Sequence, residues 1–349
     1  MVEYLSGGRI QGSTALVSSP PQTAWKELDR VTLGSSGDSM DTGTFTAKDN
    51  IMILEHKIPT GNARSKYRFN GDDDDNYATR RNQNGGSDGT FDEESFLYQY
   101  HSGGTAEGFS VSQYSNISAQ EKLGIAHVVE NNDSGANNAP TRDEYAQKWA
   151  NTSAQINRVE VFNDGTGSYN TGSEIVVLGC DNDESDSGTN FWQELDSVEL
   201  TSSSSEITSN TFTAKKYLML ELYHINTGGY VNPKIRFNND GDSNYASRYS
   251  DNGGTDAQST GQSEVDLRAG EVQSPATTTI YVINKSDKEK LFISNSNMQN
   301  TAGAGNAPSR AEVVGKWTNT SAQITSVKFI KTASGSFNTG SYLKVYGAD

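Results

Sequence analysis

The chain contains two copies of one long sequence unit. The segment WKELDRVTL, which starts at Trp25, returns as WQELDSVEL at Trp192, and KWANTSAQI at Lys148 returns as KWTNTSAQI at Lys316. The offset is 192 − 25 = 167 residues at the start and 316 − 148 = 168 residues at the end. Because the units of solenoid proteins repeat about every 20–50 residues, a unit this long is a whole domain.

The repeat also sets the predicted domain boundaries. Further landmarks recur in the same order in both copies: FTAK at Phe45 and Phe212, RFN at Arg68 and Arg236, NYA at Asn76 and Asn244, and NGG at Asn84 and Asn252. A polar, acidic stretch (CDNDESDSGTN) separates the two copies, as is typical of a linker. We therefore predict an N-terminal arm over residues 1–24, a first domain over 25–179, an acidic linker over 180–190 and a second domain over 191–349.

The hydropathy pattern within each copy is that of β-strands. Short apolar runs such as IMILEH at Ile51 and YLMLELY at Tyr217 have strand length and are separated by turns rich in Gly, Asn, Asp and Ser. About eight such runs per copy predict an all-β chain of two tandem antiparallel jelly-roll-like β-sandwich domains. Residues 141–144 and 309–312 have the form of a helix capping box, but the alternation that follows them favours a strand.

The composition excludes several classes of function. The net charge is −16, whereas binding to phosphates of nucleic acids requires clustered Lys and Arg. The only cysteine, Cys180, cannot form a disulfide within the chain. The N-terminus (MVEYLSGGRIQG) lacks the basic and apolar regions of a secretory signal, and no run of about 18 apolar residues could span a membrane. We expect no nucleic-acid partner, no membrane span and synthesis in the cytoplasm.

An acidic turn precedes the NYA motif in each copy and is the first candidate site. The turns read NGDDDDNY over residues 70–77 and NNDGDSNY over residues 238–245. Carboxylate and amide oxygens suit Ca²⁺, but neither turn has the EF-hand spacing with its bidentate Glu. Asp, Asn and Gly also build turns by bonding to their own backbone. We favour a structural turn without a cofactor; if Ca²⁺ binds instead, its ligands are Asp72, Asp74, Asp75, Asp240 and Asp242.

Two further sets of residues have a structural and a functional interpretation. Aromatic side chains can stack on sugars, but each Trp here opens or ends an apolar strand, which favours the core: Trp25, Trp149, Trp192 and Trp317. Basic residues near the acidic turns are expected to pair with the carboxylates of those turns, and the alternative is contact with a partner domain: Arg64, Lys66, Arg68, Arg80 and Arg81, with Lys234, Arg236 and Arg248.

The search for catalytic motifs finds none. The histidines do not have the spacing of metal ligands, and no G-x-S-x-G motif is present: His56, His101, His127 and His224. We therefore predict that the chain is not an enzyme. The arm over residues 1–24 is interpreted either as a disordered leader or as an anchor peptide, with Tyr4, Leu5 and Ile10 as its anchoring side chains.

The motifs together resemble those of a known class of proteins. The leader YLSGGRIQG, followed by PPQT-x-WKEL, FTAKDN, RFN, NYA, NGG and GSEIVVLG, resembles virion structural proteins of tailed bacterial or archaeal viruses. The resemblance covers nearly all of the chain, and its motifs define no chemistry. The four consecutive Asp residues of the first copy have no counterpart in the second. It implies a non-enzymatic protein of the virion surface, either a capsid decoration protein or a head or tail fibre.

The resemblance also implies partners. The arm would dock on other virion proteins, and the sandwiches would face solvent or host surface glycans. Edge strands must be covered, so we expect a homo-oligomer, and a trimer is the form that many viral jelly rolls adopt. One alternative is a capsid shell subunit of double jelly-roll type, since two barrels per chain make a trimer pseudo-hexagonal. The other is a secreted carbohydrate-binding module or adhesin.

Overall fold

The computed structural model describes residues 24–99, 106–183, 189–270 and 275–349, with the backbone of two short N-terminal strands. All regular secondary structure in these residues is β-strand, which confirms the predicted all-β class. The N-terminal strands are β1 (Val2–Leu5) and β2 (Gly8–Gln11), and they pair antiparallel with Tyr4 opposite Arg9. The predicted anchoring side chains of Tyr4, Leu5 and Ile10, and the rest of the arm, lie outside the described residues.

The chain divides into two compact units. The first-repeat unit comprises Thr23–Asn132 and Thr141–Phe191. The second-repeat unit comprises Asp133–Pro140 and Trp192–Asp349. The segment Asp133–Pro140, which follows a strand of the first repeat in sequence, therefore belongs to the unit of the second repeat. We call this segment the cover loop.

The strands of the first-repeat unit are short and follow the predicted apolar runs. Their bounds are β3 (Lys26–Thr32), β4 (Ser39–Asp41), β5 (Asn50–Lys57), β6 (Pro59–Thr60), β7 (Ser65–Phe69), β8 (Tyr77–Gln83), β9 (Gly89–Glu94), β10 (Leu97–Gln99), β11 (Gly108–Ser115), β12 (Lys122–Glu130), β13 (Thr141–Trp149), β14 (Val159–Asn163), β15 (Ser168–Tyr169) and β16 (Glu174–Cys180).

The second-repeat unit has the corresponding strands in the same order. Their bounds are β17 (Gln193–Glu199), β18 (Glu206–Thr208), β19 (Tyr217–His224), β20 (Asn226–Thr227), β21 (Pro233–Phe237), β22 (Tyr245–Asp251), β23 (Ala257–Gln262), β24 (Val265–Asp266), β25 (Ala276–Ile283), β26 (Lys290–Met298), β27 (Ser309–Trp317), β28 (Val327–Lys331), β29 (Ser336–Phe337) and β30 (Tyr342–Ala348).

Each unit is an antiparallel sandwich of one large and one small sheet. The large sheet of the first-repeat unit has the strand order β3-β16-β5-β11-β12-β13-β8-β9, and its small sheet has the order β10-β7-β14-β4. The second-repeat unit has the orders β17-β30-β19-β25-β26-β27-β22-β23 and β18-β28-β21-β24. The predicted pair of tandem antiparallel β-sandwich domains is therefore confirmed. The two main sheets of each have eight and four strands, and a two-stranded sheet, β15-β6 or β20-β29, is added in each unit.

The core of each sandwich lies between its two sheets. In the first-repeat unit it includes Ile51 and Ile53 from β5, Phe69 from β7 and Val161 from β14. Strand alternation places these side chains on inward faces, as the period of two predicts. The predicted burial of the four Trp residues is confirmed, and none of them can serve as an exposed sugar-stacking platform: Trp25, Trp149, Trp192 and Trp317.

Two local predictions can be compared with the observed strands. The ambiguous segments at Thr141 and Ser309 are the first residues of β13 and β27, so the strand interpretation is confirmed. The last strand of each copy extends one residue past the Gly at which the pattern predicts its end, to Cys180 in β16 and to Ala348 in β30. Both residues are small and buried, so they continue the sheet instead of beginning a polar segment.

Candidate functional site

Asp72 organises the first acidic turn. Its carboxylate accepts hydrogen bonds from the backbone N–H of Asp74 (3.1 Å), the side-chain amide of Asn76 (3.1 and 3.2 Å) and the indole N–H of Trp149 (2.7 Å). The hydroxyl of Tyr77 donates to the carbonyl oxygen of Asp72 (3.1 Å). Because Trp149 and Tyr77 are buried core residues, Asp72 ties the turn to the core.

Asp240 has the same role in the second repeat. Its carboxylate accepts from the backbone N–H of Asp242 (3.0 Å), the amide of Asn244 (2.9 Å) and the indole N–H of Trp317 (2.7 Å). Partial burial alone would raise the pKa of this carboxyl, but the hydrogen bonds from Asn244, Trp317 and the Asp242 backbone lower the pKa below its usual value. The charged form of Asp240 is thus part of the turn.

The five carboxylates proposed as Ca²⁺ ligands are of two kinds. Asp72 and Asp240 are half-buried and already hydrogen bonded, whereas Asp74, Asp75 and Asp242 are exposed to solvent. Among the residues that the structure describes, no group of three or more His, Cys, Asp or Glu side chains is placed to hold a metal ion. In each repeat a carboxylate of the acidic turn accepts a hydrogen bond from a buried Trp and so fixes the turn to the core.

Most of the basic residues near the turns pair within their own unit, but the predicted pairing with the acidic turns is wrong. Arg68 pairs with Glu160 (3.5 Å) and Arg236 with Glu264 (2.6 Å), which lie on or beside neighbouring strands. The remaining pairs in this group are Lys66–Asp164, Arg80–Asp88, Arg81–Asp143 and Lys234–Glu264.

The histidines lie in unrelated surroundings. His56 is buried, with its Nε2 2.5 Å from Glu107 Oε1, and His127 lies 3.8 Å from Glu144. His224 is buried against Phe337, and neither of its ring nitrogens has a hydrogen-bond partner in the described part of the chain. His101 lies outside the described residues. Within those residues no helix is long and apolar enough to cross a membrane.

The interior of the first-repeat sandwich contains a polar cluster that sequence reasoning missed. Glu55 on β5 accepts hydrogen bonds from Ser65 (2.5 Å) and from the hydroxyl of Tyr67 (2.8 Å) on the facing sheet, and Tyr169 donates to Ser65 (3.1 Å). The adjacent Lys57 and Glu130 form an ion pair of 3.0 Å, and both are buried. Burial, and then the nearby Glu55 carboxylate, raise the pKa of Tyr67 well above its usual value.

The second repeat has apolar residues at most of these positions. With offsets of 167 or 168 residues, Leu222 replaces Glu55, Ile235 replaces Tyr67, and Phe337 replaces Tyr169. The counterparts of the buried ion pair Lys57–Glu130 are His224 and Met298. Aligning the two copies shows that the first has polar residues where the second has apolar ones. The sequence of one copy does not indicate that these polar residues face the interior of the sandwich.

The outer face of strand β12 is the most conspicuous surface of the first-repeat unit. Leu123 is 58% exposed and Ile125 is 60% exposed, and with Tyr230 they are the exposed large apolar side chains of the described residues. Leu123 lies opposite Lys148 on β13. Lys148 Nζ lies 3.6 Å from Glu121 Oε2, with both side chains nearly half exposed. This surface, formed by Glu121, Leu123, Ile125 and Lys148, is called the β12 face.

The same face is covered in the second-repeat unit. Leu291 and Ile293, the counterparts of Leu123 and Ile125, are 0% and 2% exposed. The counterpart ion pair, Lys316 with Glu289, has a separation of 3.4 Å, and its side chains are 0% and 9% exposed. Burial lowers the pKa of Lys316, which the nearby Glu289 partly opposes. Identical residue types are thus exposed on one repeat and buried on the other.

The cover loop contacts this covered face through its backbone. Lys316 Nζ donates to the carbonyl oxygen of Asp133 (2.5 Å), and the N–H of Gly135 donates to Glu289 Oε1 (2.7 Å). The N–H of Gly261 donates to the carbonyl oxygen of Ala136 (2.7 Å). Because the contacts use main-chain atoms of the loop, they depend on its conformation more than on its side chains.

Comparisons with known proteins add no functional assignment. No protein-family model matches the chain, and no curated relative matches it either. Among solved structures, the chain has 10% identity and a TM-score of 0.20 to domains LG4-5 of the mouse laminin alpha1 chain, covering 95% of this chain and 92% of that one. For Ail, the attachment invasion locus protein of Yersinia pestis, the identity is 7% and the TM-score 0.14, with 77% and 97% covered. Scores this low support no inference about function.

Proposed function

We propose that this chain is a non-enzymatic structural protein of the virion surface, either a capsid decoration protein or a head or tail fibre. The observation that carries the proposal is the β12 face, an exposed apolar surface on the first repeat whose counterpart on the second repeat is covered. Exposed apolar patches rimmed by polar residues are typical of protein–protein interaction sites. Here the apolar pair Leu123 and Ile125 is rimmed by the charged pair Glu121 and Lys148.

The remaining features support a structural role. Asp72 and Asp240 cap turns on buried Trp residues, so the acidic residues that suggested a binding site serve the fold. The resemblance of the leader and the repeat motifs to virion proteins of tailed viruses supplies the setting. Under this proposal the chain is made in the host cytoplasm, and its N-terminal arm docks on other virion proteins.

The test is incorporation into particles. A virus encoding a tagged copy of the chain is purified by density gradient, and the particles are examined by immunogold labelling and by mass spectrometry. The proposal predicts regularly spaced label on particles for the full chain and loss of label when residues 1–24 are deleted. Full-length chain that stays in the soluble fraction, with none on particles, contradicts the virion role. Normal incorporation of the truncated chain contradicts the anchoring role of the arm alone.

A second candidate function is contact with a host glycan, and one cluster favours it. Phe91 stacks on Tyr98 with ring centroids 4.0 Å apart, and Phe96 lies 5.1 Å from the same ring. Phe91 and Phe96 are partly buried, and the ammonium of Lys66 lies 3.4 Å from the Tyr98 centroid. Aromatic faces beside polar groups can stack on sugars.

The second repeat provides the control for this idea. Glu264 occupies the position of Phe96 in the second repeat and forms ion pairs with Lys234 and Arg236 instead of an aromatic stack. Screening the chain on a glycan array and repeating the screen with Phe96→Glu tests the cluster directly. Binding that the substitution abolishes supports a glycan site on the first repeat. Absence of binding, or binding that the substitution leaves unchanged, removes the cluster as its source.

A further inference from the structure

The second repeat carries its own version of the cover loop. Residues 301–308 (TAGAGNAP) align with Asp133–Pro140 (DSGANNAP). Gly135 and Gly303 both have positive φ (87° and 97°), where a side chain would be strained. The backbone N–H of Asn138 bonds to Gly135, and that of Asn306 bonds to Gly303 (3.3 and 3.1 Å). The two loops therefore share one conformation.

The exposure of the two loops differs. Ala139 and Pro140 at the end of the cover loop are buried, whereas all of residues 301–308 are exposed. We call residues 301–308 the distal loop. The distal loop thus has the conformation of the cover loop but is exposed. The β12 face has the same residue types as the face that the cover loop contacts, and it too is exposed.

We propose that the distal loop of one copy of this chain docks on the β12 face of a second copy. The contacts made by the cover loop define the expected pairing. Lys148 would donate to the carbonyl oxygen of Thr301, as Lys316 does to that of Asp133. Glu121 would accept from the N–H of Gly303, as Glu289 does from that of Gly135. This inference rests on the proposed structural role, and the partner it identifies is a second copy of the same chain.

Backbone chemistry explains why the sequence differences between the loops do not prevent this pairing. The bonds from the cover loop use carbonyl oxygens and N–H groups, which the distal loop also presents. Docking would place the distal loop on Glu121 and Lys148, which rim the exposed apolar side chains of Leu123 and Ile125. Any apolar surface that the contact removes from water favours docking.

The pairing is heterologous, because the loop and the face are different surfaces of the same chain. Two copies joined by one such contact leave one free β12 face and one free distal loop. Heterologous contacts generate a ring if the rotation closes and a filament if it does not. A closed ring leaves neither surface free, which agrees with the expectation of a closed homo-oligomer such as a trimer.

Cysteine cross-linking between separate chains tests the proposal. In the second-repeat unit the Gly261 N–H bonds to the Ala136 carbonyl oxygen, and the counterpart pair between two chains is Glu93 with Ala304. Both positions are exposed. In a Cys180→Ser background, Glu93→Cys and Ala304→Cys are made as separate variants, mixed, and treated with a short bis-maleimide. The expected product is a covalent dimer that forms in the mixture and is at least tenfold less abundant in either variant alone.

Two controls make the result specific. Glu206→Cys, an exposed site on the second repeat, replaces Ala304→Cys in a parallel mixture and is expected to give only background cross-linking. Adding Ile125→Asp to the Glu93→Cys chain puts a charge on the β12 face and is expected to reduce the cross-link to that background. Mixed variants that cross-link no better than the Glu206→Cys control overturn the proposal, and so does equal cross-linking in each variant alone.

The outcome is separable from that of the virion role. Loss of the cross-link with normal incorporation into particles refutes the loop-to-face contact and leaves the virion role intact. A specific cross-link in a chain that never joins particles supports the contact and refutes the virion role.

Discussion

The indole N–H of Trp317 donates a hydrogen bond of 2.7 Å to Asp240 Oδ2, a carboxylate from the turn that precedes NYA in the second repeat. Hydrogen bonds to charged groups contribute about 1.5–3 kcal/mol, and removing one partner leaves the buried donor unpaired. We expect Asp240→Ala to lower the free energy of unfolding by about 2–3 kcal/mol in urea titration. The control Asp242→Asn alters an exposed carboxylate of the same turn and should change the free energy of unfolding little. Equal effects of both substitutions would contradict the capping role.

The acidic turns are expected to be stable without metal. Asp72 and Asp240 already accept hydrogen bonds from their own turns and from buried Trp residues. Melting temperatures measured in EDTA and in millimolar Ca²⁺ should therefore agree within about one degree. Ca²⁺ bound to the native state alone would add about 2.7 kcal/mol at a hundredfold excess over its dissociation constant. A rise of several degrees in Ca²⁺ that Asp72→Asn with Asp74→Asn abolishes would show a calcium site in the first turn.

His224 is expected to make the second repeat sensitive to acid. Burial lowers its pKa from the ordinary 6.5 to about 4. Between these values the unfolded chain binds a proton that the folded chain does not, so stability falls as pH decreases from about 6.5 to 4. A pKa difference of this size between the folded and unfolded chain corresponds to about 3 kcal/mol of unfolding free energy. His224→Phe should remove this part of the pH dependence, measured as unfolding free energy at pH 7 and pH 4.5.

His127 provides the matched control for that experiment. It is partly exposed beside Glu144, so His127→Gln should leave the acid sensitivity between pH 6.5 and 4 in place. An unchanged pH profile in His224→Phe would mean that the acid sensitivity has another source.

The polar cluster of the first repeat is expected to be replaceable as a set and not one residue at a time. Glu55→Ala removes the acceptor for two buried hydroxyls, and unsatisfied buried groups cost about 1–3 kcal/mol each. The combination of Glu55→Leu, Tyr67→Ile and Tyr169→Phe installs the residues of the second repeat, and Ser65→Ala removes the remaining hydroxyl. Calorimetry should show a lower melting temperature for the single substitution than for the combination. A combination that is the less stable of the two would contradict this account.

The β architecture could be predicted because it depends on local patterns. Alternation from Tyr145 to Trp149 has a period of two, and the observed strand β13 contains it despite the capping-box form of its first residues. Duplication strengthened each assignment, because a pattern present in both copies is less subject to chance. The same reasoning predicts the four Trp residues in the core, where Trp149 and Trp317 also bond to the acidic turns.

The exposure of the β12 face could not be predicted from the same patterns. Leu123 and Leu291 are the same residue type at the same strand position, yet one is exposed and the other is fully buried. The difference depends on which residues lie over each face, which is a tertiary property. Likewise, Glu55 lies in an apolar run, and nothing local indicates that its carboxylate faces Tyr67 across the sandwich.

Sedimentation velocity of the purified full chain, at physiological salt and from 1 to 50 µM, tests most directly whether the chain assembles with itself. The chain mass is 37.7 kDa. We predict one discrete larger species, expected near three times the chain mass, which Ile125→Asp converts to monomer. A single species at the mass of one chain across the whole concentration range would contradict the account.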